Sequence, residues 1–198
     1  DIGFDGPDGG GYTEFTADTD QAGGDVQIGR DAGNSATVTT GATYAGSAYI
    51  RSPRPYTVRA DIRWKDAADA YLPEFAQGFT VTTSPDTWTR LVVVDDAPVD
   101  AVVAEVRVII VYGDGSGIAL TGDVFGVAQR QVEQSFAATD YFDGDYPDAV
   151  PYSYAWAGTA NAAPSYELKP NGELIPDLVI NYQHERDTGV TVHQTVTG

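Results

Sequence analysis

The chain has 198 residues, and its 42% hydrophobic content is enough for a packed core. It carries 29 acidic and 11 basic residues, which gives a formal net charge of −18. A field of this sign repels phosphate backbones and anionic headgroups, so it argues against nucleic acid and bare membrane as partners and leaves cations and neutral ligands such as sugars. The absence of cysteine excludes disulfides and thiolate metal sites.

The first 133 residues have the pattern of a β-sandwich. Residues 1–34 are rich in Gly, Asp and Thr and predict loops with one or two short strands. Apolar and polar residues then alternate, as in strands with one buried face, over residues 56–64, 75–83, 87–94 and 101–112. Trp88 is expected in the core. Residues 118–131 predict a strand pair or one long bulged strand. Short strands without long helices between them indicate an all-β, antiparallel sandwich or jelly roll.

The remaining residues predict two smaller units. Residues 134–164 are dense in turns and aromatic side chains, which predicts a compact ordered segment rather than a flexible linker. Residues 173–181 and 188–196 look like further strands, so we expect residues 165–198 to form a short β unit or the start of a truncated domain. The chain begins at Asp1 and contains no methionine, and we therefore expect a processed chain or a fragment of a longer one.

Enzyme signatures are missing from the sequence. There is no cysteine nucleophile, nucleophile elbow, phosphate-binding loop or dinucleotide-binding unit. His184-Glu185 begins like a zinc-protease motif, but Thr188 stands where the second histidine belongs. With 29 acidic residues, candidate carboxyl pairs for a glycosidase are too numerous to be informative. We predict no catalytic residue.

Two kinds of binding residue are candidates. Tyr71 and Trp156 stand in loop-like contexts, where an aromatic ring can stack on a sugar, and they are the predicted carbohydrate-binding residues. Asp clusters on Gly-rich turns could bring several oxygens to one calcium ion, with solvated turn residues as the simpler interpretation of each cluster.

Part of the sequence resembles a known family. Residues 56–60, 86–91, 97–108 and 122–124 resemble the jelly-roll, carbohydrate-binding-module-like domain in tail proteins of actinobacterial phages. The motif Tyr141-Phe142-Asp143-Gly144-Asp145, followed by residues 152–159, is similar to the element after that domain in phage minor tail proteins. The resemblance implies a non-enzymatic virion protein at the tail tip, assembled in the host cytoplasm. Its implied partners are other tail proteins, further copies of itself and host-surface glycans.

The same resemblance implies a calcium site and leaves alternatives open. In carbohydrate-binding relatives, an acidic residue after an N-terminal Phe and an Asp on the last strand often hold a structural calcium. The matching residues are Asp5, after Phe4, and Asp123. A purely architectural tail or capsid-decoration subunit is the alternative function, and a glycan-degrading enzyme is a third. A haloarchaeal rather than actinobacterial host stays open.

Overall fold

The computed structural model describes residues 6–7, 11–28, 35–113, 118–141, 153–156 and 165–168, the last two ranges as backbone strands only. These residues form twelve strands and no helix. Accordingly, no helix in the described ranges is long and apolar enough to cross a membrane. The strands are β1 (Thr13–Thr16), β2 (Val26–Ile28), β3 (Ser35–Thr37), β4 (Thr43–Arg51), β5 (Thr57–Lys65), β6 (Tyr71–Gln77), β7 (Val81–Thr82), β8 (Thr89–Asp96), β9 (Val103–Ile110), β10 (Val124–Glu133), β11 (Ser153–Trp156) and β12 (Ser165–Leu168).

The first ten strands form two antiparallel sheets. Sheet I has the order β1-β10-β4-β8, and sheet II has the order β2-β9-β5-β6, with β3 also on β9 and β7 also on β5. The pairing is nested: β1 pairs with β10, β2 with β9, β4 with β8 and β5 with β6. This is the pairing of a hairpin rolled into two layers, the jelly roll. The predicted fold class is confirmed.

Alternation along β5 divides the core from the outer surface of sheet II. Val58, Ala60, Ile62 and Trp64 are buried between the sheets, as the sequence predicted. The charged residues between them therefore face away from the core. In β9 the alternation is hidden, because nearly every residue of that strand is buried.

Strand β4 was not predicted. Its inward residues include Gly46, at a position where side chains of sheet II leave no room for a larger residue. A Cβ there would lie 2.7 Å from Val106 Cγ2. Glycine and alanine have low strand propensity, and β4 is a central strand buried on both faces, so it lacks polar alternation. Strong cross-strand packing forms the strand despite this weak local signal.

The predicted strand at residues 75–83 is two strands, β6 and β7, separated at Gly78. The Gly78 N–H donates to the Ala60 oxygen at 2.8 Å, and a Cβ at Gly78 would lie 2.5 Å from the Val92 backbone oxygen. Sheet II thus comes close to the edge of sheet I here, and only glycine fits. Residues 118–131 contribute one bulged strand, β10, with its register shift between Ala128 and Gln131.

We expect Gly78→Ala to destabilise the protein by about 1–3 kcal/mol, because the added methyl meets two backbone oxygens that cannot move aside. Gly23→Ala is the matched control, since nothing lies within 4 Å of the place that its added methyl would occupy. Urea unfolding of both variants measures the difference. Equal midpoints would show that the sheets separate easily at this edge.

The prediction that Trp88 belongs to the core is wrong. Trp88 precedes β8 and lies half-buried on the outer face of sheet I, in edge contact with Tyr12 at 5.2 Å between ring centroids. The Arg51 guanidinium lies 5.2 Å from the Trp88 ring, and Gly126 leaves room for it. The core residues of β8 are Leu91 and Val93, so Trp88 falls on the side of the exposed Val92, and the alternation continued back from the strand directs its ring outward.

The chain after β10 packs against sheet I. The Thr139 N–H donates to Glu133 at 2.7 Å, and Arg90 pairs with Asp140 at 3.5 Å. This is the beginning of the predicted 134–164 segment. Further on, β11 pairs antiparallel with β12, whereas the predicted strands at 173–181 and 188–196 lie outside the described residues. The bounds of the three predicted units stay predictions.

Candidate functional site

The outer face of sheet II collects charged and aromatic side chains, and we call this surface the polar face. The centre of this face is buried although it points away from the core, and its rim is exposed. Charged side chains that are buried on an outer face pack against one another there. The polar face consists of Gln27, Arg59, Asp61, Arg63, Lys65, Tyr71, Phe75, Glu105 and Arg107.

Glu105 is the central acid of the polar face. Its carboxylate accepts hydrogen bonds from Lys65 Nζ at 2.6 Å, Tyr71 Oη at 2.9 Å and an Arg107 guanidinium nitrogen at 3.1 Å. Burial alone would raise the pKa of this carboxyl, but the hydrogen bonds from these three residues outweigh it and hold the pKa below its usual value. Glu105 is therefore ionised and fixes three neighbours.

Tyr71, a predicted sugar-binding residue, lies in this face. It begins β6 opposite Lys65 instead of lying in a loop. The Tyr71 ring centroid is 4.4 Å from the Arg107 guanidinium, 4.9 Å from Lys65 Nζ and 5.7 Å from the Arg63 guanidinium. The half-buried ring is held by cation–π contacts and by its hydroxyl. Its role in sugar binding stays a prediction.

A second ion-pair group lies at the other end of the face. Arg59 pairs with Asp61 at 2.8 Å and with Asp25 at 2.9 Å, and Arg107 donates to Gln27 at 2.5 Å. Burial is the main effect on Asp61 and raises the pKa of its carboxyl, against the effect of Arg59. These contacts fix the side chains at this end of the polar face.

Tyr71 is the one member of the polar face that the sequence singled out as a binding residue. The alternation already placed Arg63 on an outer face, but its juxtaposition with Glu105 depends on the register of β5 against β9. Phe75 reaches Arg63 through the register of β6. Such register cannot be derived from single strands.

Trp156 ends β11, opposite Ser165, so it also stands on a strand rather than in a loop. Its side chain lies outside the described part of the structure. Asp5 lies outside the described residues altogether. Their predicted roles stay predictions.

Asp123 lies away from the polar face, just before β10. Its Oδ2 accepts hydrogen bonds from the Arg54 guanidinium at 2.5 Å, from the Leu120 N–H at 2.7 Å and from the Tyr56 hydroxyl. Burial would raise the pKa of this carboxyl, but the three donors lower it overall. An oxygen that already accepts from a cation and two further donors does not fit a calcium ligand.

No group of three or more acidic or histidine side chains that could hold a metal occurs among the described residues. The calcium assignment of Asp5 and Asp123 stays a prediction, and a chelator tests it. We expect EDTA to leave the melting temperature unchanged, because Arg54 already supplies the counter-charge at Asp123. A clear fall that added calcium reverses would establish the metal site.

We also expect stability to depend on acid through Asp123. Because its pKa is depressed in the fold, the carboxylate stabilises the protein above its ordinary pKa of 3.8, and this stabilisation is lost as the pH falls through the lower folded value. Asp123→Asn should be less stable than wild type at neutral pH and lose less stability between about pH 5 and pH 3. Urea unfolding across this range measures both, with the exposed Glu74→Gln as control. Parallel curves for wild type and Asp123→Asn would contradict the assignment.

No protein-family model and no curated protein matches the chain. Among solved structures, it is similar to the Clostridium thermocellum xylanase 10B CBM22-1–GH10 modules complexed with xylohexaose, with TM-score 0.43, 13% identity, and coverage of 74% of this chain and 26% of that one. It is also similar to the CBM22-1 xylan-binding domain of Paenibacillus barcinonensis Xyn10C, with TM-score 0.32 and 10% identity. The match covers 61% of this chain and 84% of that one. A third similar structure is the enzymatically active domain of bacteriophage CBA120 tailspike protein 4, with TM-score 0.33 and 14% identity. The match covers 58% of this chain and 18% of that one. The jelly-roll assignment itself follows from the strand pairing of this chain.

Proposed function

We propose that the chain is a non-catalytic glycan-binding domain and that the polar face is its binding surface. One observation carries the proposal: two part-exposed aromatic rings, Tyr71 and Phe75, stand beside fixed hydrogen-bonding side chains on the same face of sheet II. A pyranose ring offers an apolar face for stacking and a rim of hydroxyl groups for hydrogen bonds, and the polar face offers both partners.

We further propose that the domain belongs to a minor tail protein of a phage, where it contacts host-surface glycans. The support is the sequence resemblance, above all at residues 141–159. Binding at a single shallow face is weak, and several copies on one virion would raise the overall affinity by avidity. Location in the virion tail, assembly in the host cytoplasm and contacts with other tail proteins and with further copies belong to the same proposal.

Glycan arrays with the purified chain test the binding proposal. We expect Phe75→Ala to lower affinity for a bound glycan about tenfold, because a stacking partner is lost. Phe79→Ala is the matched control, since Phe79 is 93% exposed in the loop after β6 and lies off the polar face. Tyr71→Phe should retain most binding because the ring stays. Equal binding by Phe75→Ala and wild type would place the site elsewhere.

Trp156→Ala tests the other predicted sugar-binding residue in the same assay. Reduced glycan binding would assign Trp156 to the site, and unchanged binding would remove it. Release of soluble product from purified host cell wall tests for an enzyme, and we expect none.

A purely architectural subunit is the second candidate. It is favoured by exposed apolar side chains where the edges of the two sheets meet, namely Phe79, Val81, Val92 and Val94. Blank glycan arrays together with self-association in analytical ultracentrifugation would support this alternative over glycan binding.

A further inference from the structure

The polar face is locally cationic in a strongly acidic protein. Three cations, Arg63, Lys65 and Arg107, surround the Tyr71 ring within 4.4–5.7 Å, and four of the eleven basic residues of the chain belong to the face. Two buried carboxylates lie beside these cations: Glu105 pairs with Lys65 and Arg107, and Asp61, opposite Arg107 in the sheet, pairs with Arg59. A third acid, Asp69, pairs with Lys65, but its side chain is 80% exposed and screened by water.

Arg63 is the cation that this network leaves available. It lies directly opposite Glu105 in the sheet, but both Glu105 oxygens are taken by Lys65, Arg107 and Tyr71. Among the described residues, Arg63 forms no salt bridge, and its buried Nε has no hydrogen-bond partner. Its contacts are with rings, at 4.6 Å from the Phe75 centroid and 5.7 Å from the Tyr71 centroid.

These contacts fix the guanidinium, which has no ion-pair partner among the described residues. A guanidinium flanked by aromatic rings keeps its plane, and its terminal N–H groups can bind a carboxylate or sulfate through two parallel hydrogen bonds. The side chain is part-exposed, so such a group can reach it from solvent. The Phe75 ring, 38% exposed, adjoins the same spot and can pack against the sugar ring that carries the charge.

Resting on the proposed glycan binding, we propose that the polar face selects acidic glycans, with Arg63 binding the carboxylate or sulfate of one sugar unit beside Phe75. The net charge of −18 means that the protein as a whole repels anionic ligands and favours neutral ones. The arrangement around Tyr71 reverses this preference at one place. Both groups place an oxyanion on a pyranose ring, and the experiment distinguishes the carboxylate from the sulfate.

The test compares matched pairs of polysaccharides on the purified chain. Polygalacturonate and hyaluronate are each compared with their carboxyl-reduced forms, and chondroitin sulfate with its desulfated form, by isothermal titration calorimetry. We expect wild type to prefer an acidic member about tenfold and Arg63→Gln to lose that preference. Arg63→Lys should keep part of it, because lysine retains the charge but not the two parallel N–H donors of the guanidinium. Arg90→Gln, on the outer face of sheet I, is the control for the same change in net charge.

The outcomes separate the two proposals. Preference for the acidic forms that Arg63→Gln abolishes and Arg90→Gln retains supports the assignment, and the favoured pair identifies the group as carboxylate or sulfate. Binding of neutral forms only overturns acidic selectivity while glycan binding stands. Acidic preference that survives in Arg63→Gln overturns the role of Arg63. Failure to bind any member, with glycan arrays also blank, overturns glycan binding itself and this inference with it.

Discussion

Replacing Glu105 with alanine is expected to destabilise the fold by about 3–5 kcal/mol. The carboxylate is the shared acceptor for Lys65, Arg107 and Tyr71, and it is 4% exposed. Its removal leaves the buried Arg107 without its ion-pair partner and leaves Lys65 with only the exposed Asp69. Uncompensated buried charge is among the largest single-site costs in proteins, because neither water nor a partner replaces the lost contact. Urea unfolding at neutral pH measures the loss.

Two variants distinguish the charge from the shape of Glu105. Glu105→Gln keeps the size of the side chain and one acceptor oxygen. We therefore expect it to be less stable than wild type but more stable than Glu105→Ala. Glu74→Ala removes an exposed glutamate in strand β6 of the same sheet and should change stability little. A loss below about 1 kcal/mol in Glu105→Ala would mean that the cations reach water when their partner is removed.

Replacing Trp64 with alanine is the second large expected effect, again about 3–5 kcal/mol. The Trp64 side chain is 1% exposed between the sheets and meets the Tyr44 ring edge-on at 6.1 Å between centroids. Alanine leaves a cavity that β5 and β4 cannot close, because hydrogen bonds fix both strands within their sheets. Thermal and urea unfolding measure the loss.

Trp64→Phe fills part of the cavity and should lose less stability than Trp64→Ala. Phe79→Ala removes an exposed ring of similar type and should leave the unfolding midpoint unchanged. Glycan binding by folded Trp64→Phe is also expected to match wild type, because Trp64 faces away from the polar face. A selective loss of binding would imply that packing in the core positions the side chains of the polar face.

The predictability of the fold differed between strands for physical reasons. Strand β5 was evident because one face meets the core and the other carries charges, so the sequence alternates. Strand β4 was not, because both of its faces are covered and small residues fill the narrow space between the sheets. The jelly-roll class could thus be predicted from strands such as β5, whereas the pairing of β4 could not.

The candidate site was predictable at one residue. Tyr71 was identified as an aromatic residue outside the obvious core, and it does lie on the outer face of sheet II. The charges around it come from two other strands, β5 and β9, and their meeting depends on register and on a bulge between β5 and β6. Asp123 was recognised by its position, but its partner Arg54 is 69 residues away in sequence, so the pairing gave no local signal.

The nested strand pairing has a consequence for how the domain attaches to neighbouring domains. The first strand, β1, lies beside the last, β10, so the polypeptide enters and leaves the sandwich through the same layer, sheet I. Sheet II is formed entirely by the intervening strands. Any domain joined before or after the sandwich is therefore tethered to the layer opposite the polar face. The polar face therefore lies on the layer that carries neither the first nor the last strand of the sandwich.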